Sequence, residues 1–239
     1  MNNYGMKPWL LAGMLALSPA AGFAADQPPR LVLQITVDAL RGDLPRRFAH
    51  VSAEGGFRYL MGKGVDYTNA HYQHANTETI VGHVSLATGS VPAAHGMVAN
   101  IWFDRELGRM TYNIEDADYR LLTAGADVDQ KTEIDPTQKA AKVDGRSPAA
   151  ILSSTFSDEL AVHYGGKSKI FAVSVKDRGA VSLAGHAGKA FWFSKSSGEF
   201  VTSNYYYDQY PQWVNEWNAA KPAQRYAGKS WNMMHEPAS

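Results

Sequence analysis

The chain has 239 residues, 45% of them apolar, enough for one large α/β domain or two small ones with a sizeable core. Lys plus Arg and Asp plus Glu number 23 each, so bulk charge gives no ground for a nucleic-acid or membrane-surface binder, and any anion specificity must come from a local site. Cysteine is absent, which excludes a disulfide framework.

The first 25 residues read as a secretory signal peptide: Lys7, an apolar run over 9–17, Pro19, then small residues up to Ala25. The run is short for a membrane span and Pro19 interrupts it, so no stable membrane anchor is expected. Export implies that the mature chain, 26–239, is periplasmic or extracellular.

Residues 31–37 are nearly all apolar and β-branched, the pattern of a strand buried on both faces, ending at Asp38. Sites in open parallel sheets lie outside the carboxyl ends of strands, so Asp38 is where a site residue would sit. Residues 57–61, followed by Gly62-Lys63-Gly64, read as a helix stopped by glycine. Thr79 opens a helical run over 79–88 that ends at Gly89. The free N–H groups and dipole of a helix start favour an anion. Residues 101–104 and 110–113 form a hairpin around Gly108. The stretch 115–144 is polar and poorly periodic, hence mostly loop.

Ser147 and Pro148 suit the N-cap and first position of a helix over 147–163, stopped by Gly165 and Gly166. A second buried-type strand over 169–175 ends at Lys176-Asp177-Arg178. A hairpin over 191–193 and 200–202 follows, then a short helix over 211–220 with Trp213 and Trp217 on one face. The alternation of strand and helix argues for an α/β fold with a mostly parallel sheet flanked by helices.

Chemistry gathers at the element ends. Asp38 offers an oxygen ligand for a divalent cation, zinc or a harder ion, which would lower the pKa of the Thr79 hydroxyl and make it a nucleophile. Lys176 and Arg178, two apart on an extended chain, point to one side and can grip the nonbridging oxygens of a phosphoryl group. Asn100, after a turn containing Gly96, can donate an amide hydrogen bond to the same oxygens. Taken singly, each residue has an ordinary structural reading: a turn aspartate, an N-cap threonine, a solvated Lys-x-Arg pair. Their joint position at element ends is the more specific signal.

The motifs Val37-Asp38, Gly55-Gly56-Phe57, Thr79-Ile80-Val81-Gly82-His83, Thr88 to Met97, Asn100 to Asp104, Ser174 to Ala180 and Ala184-Gly185-His186, with 190–193 and 202–207 downstream, resemble the alkaline phosphatase superfamily in order and over nearly the whole chain after residue 25. The branch is that of type I phosphodiesterases/nucleotide pyrophosphatases, and within it the chain is most similar to phosphate-irrepressible periplasmic alkaline phosphatases. The resemblance implies a phosphomonoesterase acting on small phosphate monoesters, with two zinc ions per complete site. Thr79 would be the nucleophile, phosphorylated in a covalent intermediate and bound to one zinc together with Asp38. Asn100, Lys176 and Arg178 would bind phosphate oxygens. His83 and His95 read as structural, and His71 and His74 as a loop pair beside the site.

The family draws most zinc ligands from its second half, and this chain retains Asp38 and Thr79 alone. It is therefore expected to be the N-terminal part of an alkaline-phosphatase-like domain, a fragment or an inactive truncated product, with apolar surface exposed. The alternative reading within the same fold is a phosphodiesterase or nucleotide pyrophosphatase.

Overall fold

The computed structural model describes residues 29–232, so the expected signal peptide over 1–25 lies outside the described residues. The chain divides into two units, Met1–Thr36 and Val37–Ser239. In the first, the expected strand is not formed. No strand pairing runs along 31–36, and Leu31, Leu33 and Ile35 are exposed. An apolar β-branched run becomes a strand only where a neighbouring edge takes up its N–H and C=O groups, and composition alone does not supply that edge.

The second unit opens with two short helices, α1 (Leu44–Arg47) and α2 (Phe57–Lys63). Helix α3 (Thr79–Thr88) stops at Gly89, whose φ of 64° is the left-handed conformation a side chain would resist. After α4 (Pro92–His95) comes an antiparallel hairpin, β1 (Ile101–Asp104) against β2 (Arg109–Tyr112), with Ile101 opposite Tyr112.

Helix α5 (Phe156–His163) is shorter than the run expected over 147–163. A capping box starts it: the Thr155 hydroxyl accepts from Asp158 N, and the Asp158 carboxylate accepts from Thr155 N at 2.8 Å. Upstream, the amides that a helix would need are used elsewhere. Ile151 N bonds Pro148 O at 2.8 Å in a turn, and Leu152 N reaches back to His95 O at 3.0 Å. Ser147 instead anchors a turn, accepting from Ala149 N and donating to Asp116.

Strand β3 (Phe171–Ser174), helix α6 (Asp177–Ala184) and strand β4 (Lys189–Ser194) make a βαβ unit, with β3 and β4 parallel and Ala172 opposite Ala190. Strand β5 (Glu199–Val201) pairs antiparallel with β4, and helix α7 (Gln212–Ala219) follows. The sheet order is β3-β4-β5.

The core forms where α6 packs against both α3 and the sheet. Ile80, Val81 and Val84 of α3, and Ala180, Val181 and Ala184 of α6, repeat the same i, i+1, i+4 spacing and are fully buried, as is Val201. Each larger aliphatic so buried contributes roughly 1.5–3 kcal/mol. Gly179 lets α6 sit close: a Cβ there would stand 2.6 Å from Ser174 Oγ. The outer side of β3 is different. Phe171, Val173 and Val175 are exposed while Ala172 between them is buried.

Candidate active site

Thr79 is the first residue of α3, after the extended N-cap residue Glu78. Its hydroxyl donates to Asp38 Oδ2 at 3.4 Å, across 41 residues of chain. Asp38 is exposed, in a turn in which Leu40 N bonds Val37 O and Ala39 takes a φ of 57°. That conformation costs an alanine about 1 kcal/mol, and it turns the chain away immediately after Asp38. The Thr79 carbonyl accepts from His83 Nδ1 at 2.7 Å; a carbonyl only accepts, so the proton is on Nδ1.

Asn100 is buried beside the same helix start. Its Oδ1 accepts from Ile80 N at 3.1 Å, and its own N–H donates to Glu78 Oε2 at 2.6 Å. Since Ile80 N is a donor, the amide orientation is fixed, and Nδ2 is the edge left to donate elsewhere. The Asn100 carbonyl in turn accepts from Asn113 Nδ2 at 2.6 Å.

Beyond Asn113 lies Tyr112, whose hydroxyl donates to Asp177 Oδ1 at 2.7 Å and accepts from Arg178 Nη1 at 3.5 Å. Asp177 also takes Arg146 Nε at 2.8 Å and Gln138 Nε2 at 3.1 Å. Burial would raise the Asp177 pKa, but Arg146 and these hydrogen bonds outweigh it and hold the carboxyl below its ordinary value. Burial and the Asp177 charge together push the Tyr112 phenol well above its own. Hydrogen bonds on either side of the Tyr112–Asn113 peptide link therefore connect the Thr79 helix, through Asn100, to the start of α6.

Lys176 and Arg178 do not share an extended strand, as the sequence suggested. Lys176 is the N-cap of α6 and Arg178 lies in its first turn. They converge all the same, on one carboxylate oxygen. Lys176 Nζ is 2.5 Å and Arg178 Nη2 is 3.0 Å from Asp135 Oδ2. Burial would raise the Asp135 pKa; the hydrogen bonds from Lys176 and Thr137 and the Arg178 charge prevail and keep it ionised far below the usual carboxylate range. Arg178 is buried and its Nε has no partner among the described residues.

Thr79 meets Asp38 directly, and Asn100 caps their helix. Among the described residues, no hydrogen bond runs straight from Thr79 or Asn100 to Lys176 or Arg178; the link is indirect, through Asn113, Tyr112 and Asp177. His95 is buried with both ring nitrogens engaged, by Ser85 Oγ and Met97 N. His71 bonds Asn69, and the His74 ring nitrogens are buried without a partner among the described residues.

Sequence reasoning missed Asp135, Asp177 and Arg146. The Asp-Pro-Thr run over 135–137 is a turn signal within the stretch read as loop, but it does not name the cations that the carboxylate meets. For a metal, the fit is partial. Asp38 and Thr79 offer two oxygen donors, and no cluster of three or more His, Asp or Glu side chains suited to a metal occurs among the described residues. Nor is any described helix long and apolar enough to cross a membrane.

Residues 32–237 match the family model described as type I phosphodiesterase / nucleotide pyrophosphatase. The chain is 34% identical over 232 residues to the alkaline phosphatase PafA of Elizabethkingia meningoseptica, covering 95% of this chain and 40% of PafA. It is 35% identical over 208 residues to the alkaline phosphatase PhoV of Synechococcus elongatus, covering 87% of this chain and 35% of PhoV. It thus spans well under half the length of either relative. The crystal structure of wild-type PafA superposes with a TM-score of 0.71 at 34% identity, over 82% of this chain and 35% of that one. A PafA variant substituted at a threonine, an asparagine, a lysine and an arginine superposes at 0.73 and 31% identity, over 84% of this chain and 36% of that one.

Proposed function

The chain belongs to the type I phosphodiesterase / nucleotide pyrophosphatase family of the alkaline phosphatase superfamily, and on that footing we propose that it carries the nucleophile and the oxyanion-binding side chains of a zinc-dependent phosphomonoesterase. In this reading, residues 1–25 direct export to the periplasm, and 26–239 are the N-terminal part of an alkaline-phosphatase-like domain that acts on small phosphate monoesters.

The observation that carries the reading is the meeting of Thr79 and Asp38 at the start of α3. A hydroxyl there sits at the positive end of the helix dipole, which favours a phosphoryl group. The reaction has two displacements. The Thr79 oxygen attacks phosphorus, the ester P–O bond breaks and the alcohol leaves with a proton; water then attacks the phosphothreonine, releasing inorganic phosphate and restoring the hydroxyl. Asn100 Nδ2, Lys176 and Arg178 donate to the nonbridging oxygens, whose charge must be stabilised in both steps. The same four residue types, Thr, Asn, Lys and Arg, are those changed in the PafA variant, which supports grouping them.

Asp38 and Thr79 would hold one zinc, and a complete site would hold two. Bound zinc lowers the pKa of a hydroxyl it contacts. Zinc takes three or four ligands, so further ligands would come from outside the described residues, and the pair alone is not expected to sustain turnover.

Comparing an aryl phosphate monoester with the corresponding diester tests the reading in a full-length protein containing this chain. Monoester preference that falls in Lys176→Ala supports it. A diesterase or nucleotide pyrophosphatase is the second reading, favoured by the description of the matching family; it predicts faster diester turnover that is indifferent to Lys176→Ala.

A further inference from the structure

We infer that Asp135 is a positioning residue that presets Lys176 and Arg178 as one oxyanion-binding pair, an inference that rests on reading those two side chains as phosphate-binding. Lys176 and Arg178 leave the backbone from different places, an N-cap and the first turn of α6. Nothing in the helix itself brings their charges together, and two cations this close repel. A single oxygen, Asp135 Oδ2, takes both, at 2.5 and 3.0 Å.

Asp135 is itself held in place. Its other oxygen, Oδ1, accepts from Thr137 N at 3.0 Å and from Thr137 Oγ1 at 2.6 Å, closing a turn across Pro136. Thr137 Oγ1 also accepts from Arg178 Nη1 at 3.2 Å. The turn therefore fixes two of the guanidinium nitrogens. What it leaves is directional: Arg178 Nε is buried with no partner among the described residues, and the Lys176 side chain keeps a third of its surface exposed. An ammonium has three N–H groups, and Asp135 accounts for one. Lys176, Arg178 and Asp135 together carry a net charge of about +1, so preset geometry, more than excess charge, would give this pair its grip. Burial would raise the Asp135 pKa, but the hydrogen bonds from Lys176 and Thr137 and the Arg178 charge outweigh it, so the carboxylate that holds the pair stays ionised below the usual range.

The test is inorganic phosphate binding by calorimetry to the parent chain and to Asp135→Ala, Asp135→Asn and Arg178→Ala, with a thermal melt of each. The Arg178 Nε–H resonance is followed in parallel by NMR. Positioning predicts about tenfold weaker phosphate binding in Asp135→Ala, which corresponds to about 1.4 kcal/mol. It predicts a smaller loss in Asp135→Asn, which keeps one acceptor, and faster exchange of the Arg178 Nε proton in Asp135→Ala. Phosphate binding equal to or tighter than the parent's in both folded Asp135 variants overturns the inference, because the carboxylate would then be idle or a competitor for the site. If Asp135→Ala does not melt cooperatively, Asp135→Asn decides by the same criterion. Undiminished binding in Arg178→Ala, or no binding by the parent, removes the phosphate-binding reading itself; lost binding in Arg178→Ala with parent-like Asp135 variants removes positioning alone.

Discussion

Asn100 and Ile80 are joined by one hydrogen bond, from the Ile80 amide to Asn100 Oδ1 at 3.1 Å. It satisfies one of the orphan donors at the start of the helix that carries Thr79, and it commits Oδ1 to structure while leaving Nδ2 uncommitted. The two roles separate by substitution. Asn100→Ala should cost about 1 kcal/mol of stability and lose the donor. Asn100→Asp keeps the acceptor, so its melting should stay near the parent's, yet it replaces the donor with a negative charge and should weaken phosphate binding at least as much. Equal destabilisation of both variants in urea titrations would contradict the division of labour.

Three carboxyls, Asp135, Asp158 and Asp177, sit below their ordinary pKa although burial alone would raise each. For Asp158 the opposing contacts are His186 Nδ1 at 2.9 Å and the amides of Thr155 and Ala187. A carboxyl whose folded pKa is depressed adds stability that is fully present above its unfolded pKa, about 3.9, and lost as pH falls through the folded value. Urea midpoints should therefore hold from pH 7 to about 5 and fall steeply below about 4. Asp158→Ala should cost about 1–3 kcal/mol at pH 7 and flatten the acid limb. An acid limb as steep as the parent's would show that these contacts do not carry it.

Gly145 has no room for a side chain. A Cβ there would stand 2.1 Å from Asp116 O and 2.2 Å from Tyr119 O, both backbone atoms that cannot swing aside. Gly145 also precedes Arg146, which anchors Asp177. Gly145→Ala should destabilise by about 3 kcal/mol or more and weaken phosphate binding with it. Gly108→Ala, in an open hairpin turn at a φ of 64°, should cost only about 1–2 kcal/mol. Similar unfolding midpoints for the two would contradict the packing argument.

Local signals were legible where a residue's own chemistry decided the outcome. Helix α3 runs over the span read from Thr79 to its glycine stop, and the two hairpins form around Gly108 and Gly198. Reading failed where a distant partner decided. Residues 31–36 have strand composition but no strand pairing, and Ser147-Pro148 looked like a helix start until the Thr155–Asp158 capping box took that role. The geometry of the candidate site was legible in the same uneven way. Asp38 and Thr79 meet, and Asn100 faces the same helix start. The carboxylate that gathers Lys176 and Arg178 was invisible, because Asp135 lies in a polar loop whose sequence names no partner 41 residues away.

Two oxygen donors make a weak metal site. Zinc titration of the chain should show binding no tighter than roughly the micromolar range, lowered further in Asp38→Ala, with no stabilising shift on unfolding. Tight uptake of two zinc ions per chain would contradict the account of Asp38 and Thr79 as part of a larger ligand set.

The most direct measurement is where the phosphoryl group goes. A zinc-loaded, full-length protein containing this chain is mixed with an aryl phosphate, quenched in acid and digested, and its peptides are weighed. A phosphoryl group on the peptide bearing Thr79, lost together with turnover in Thr79→Ala, is the predicted result; turnover that persists in Thr79→Ala, or a label on another residue, would contradict it.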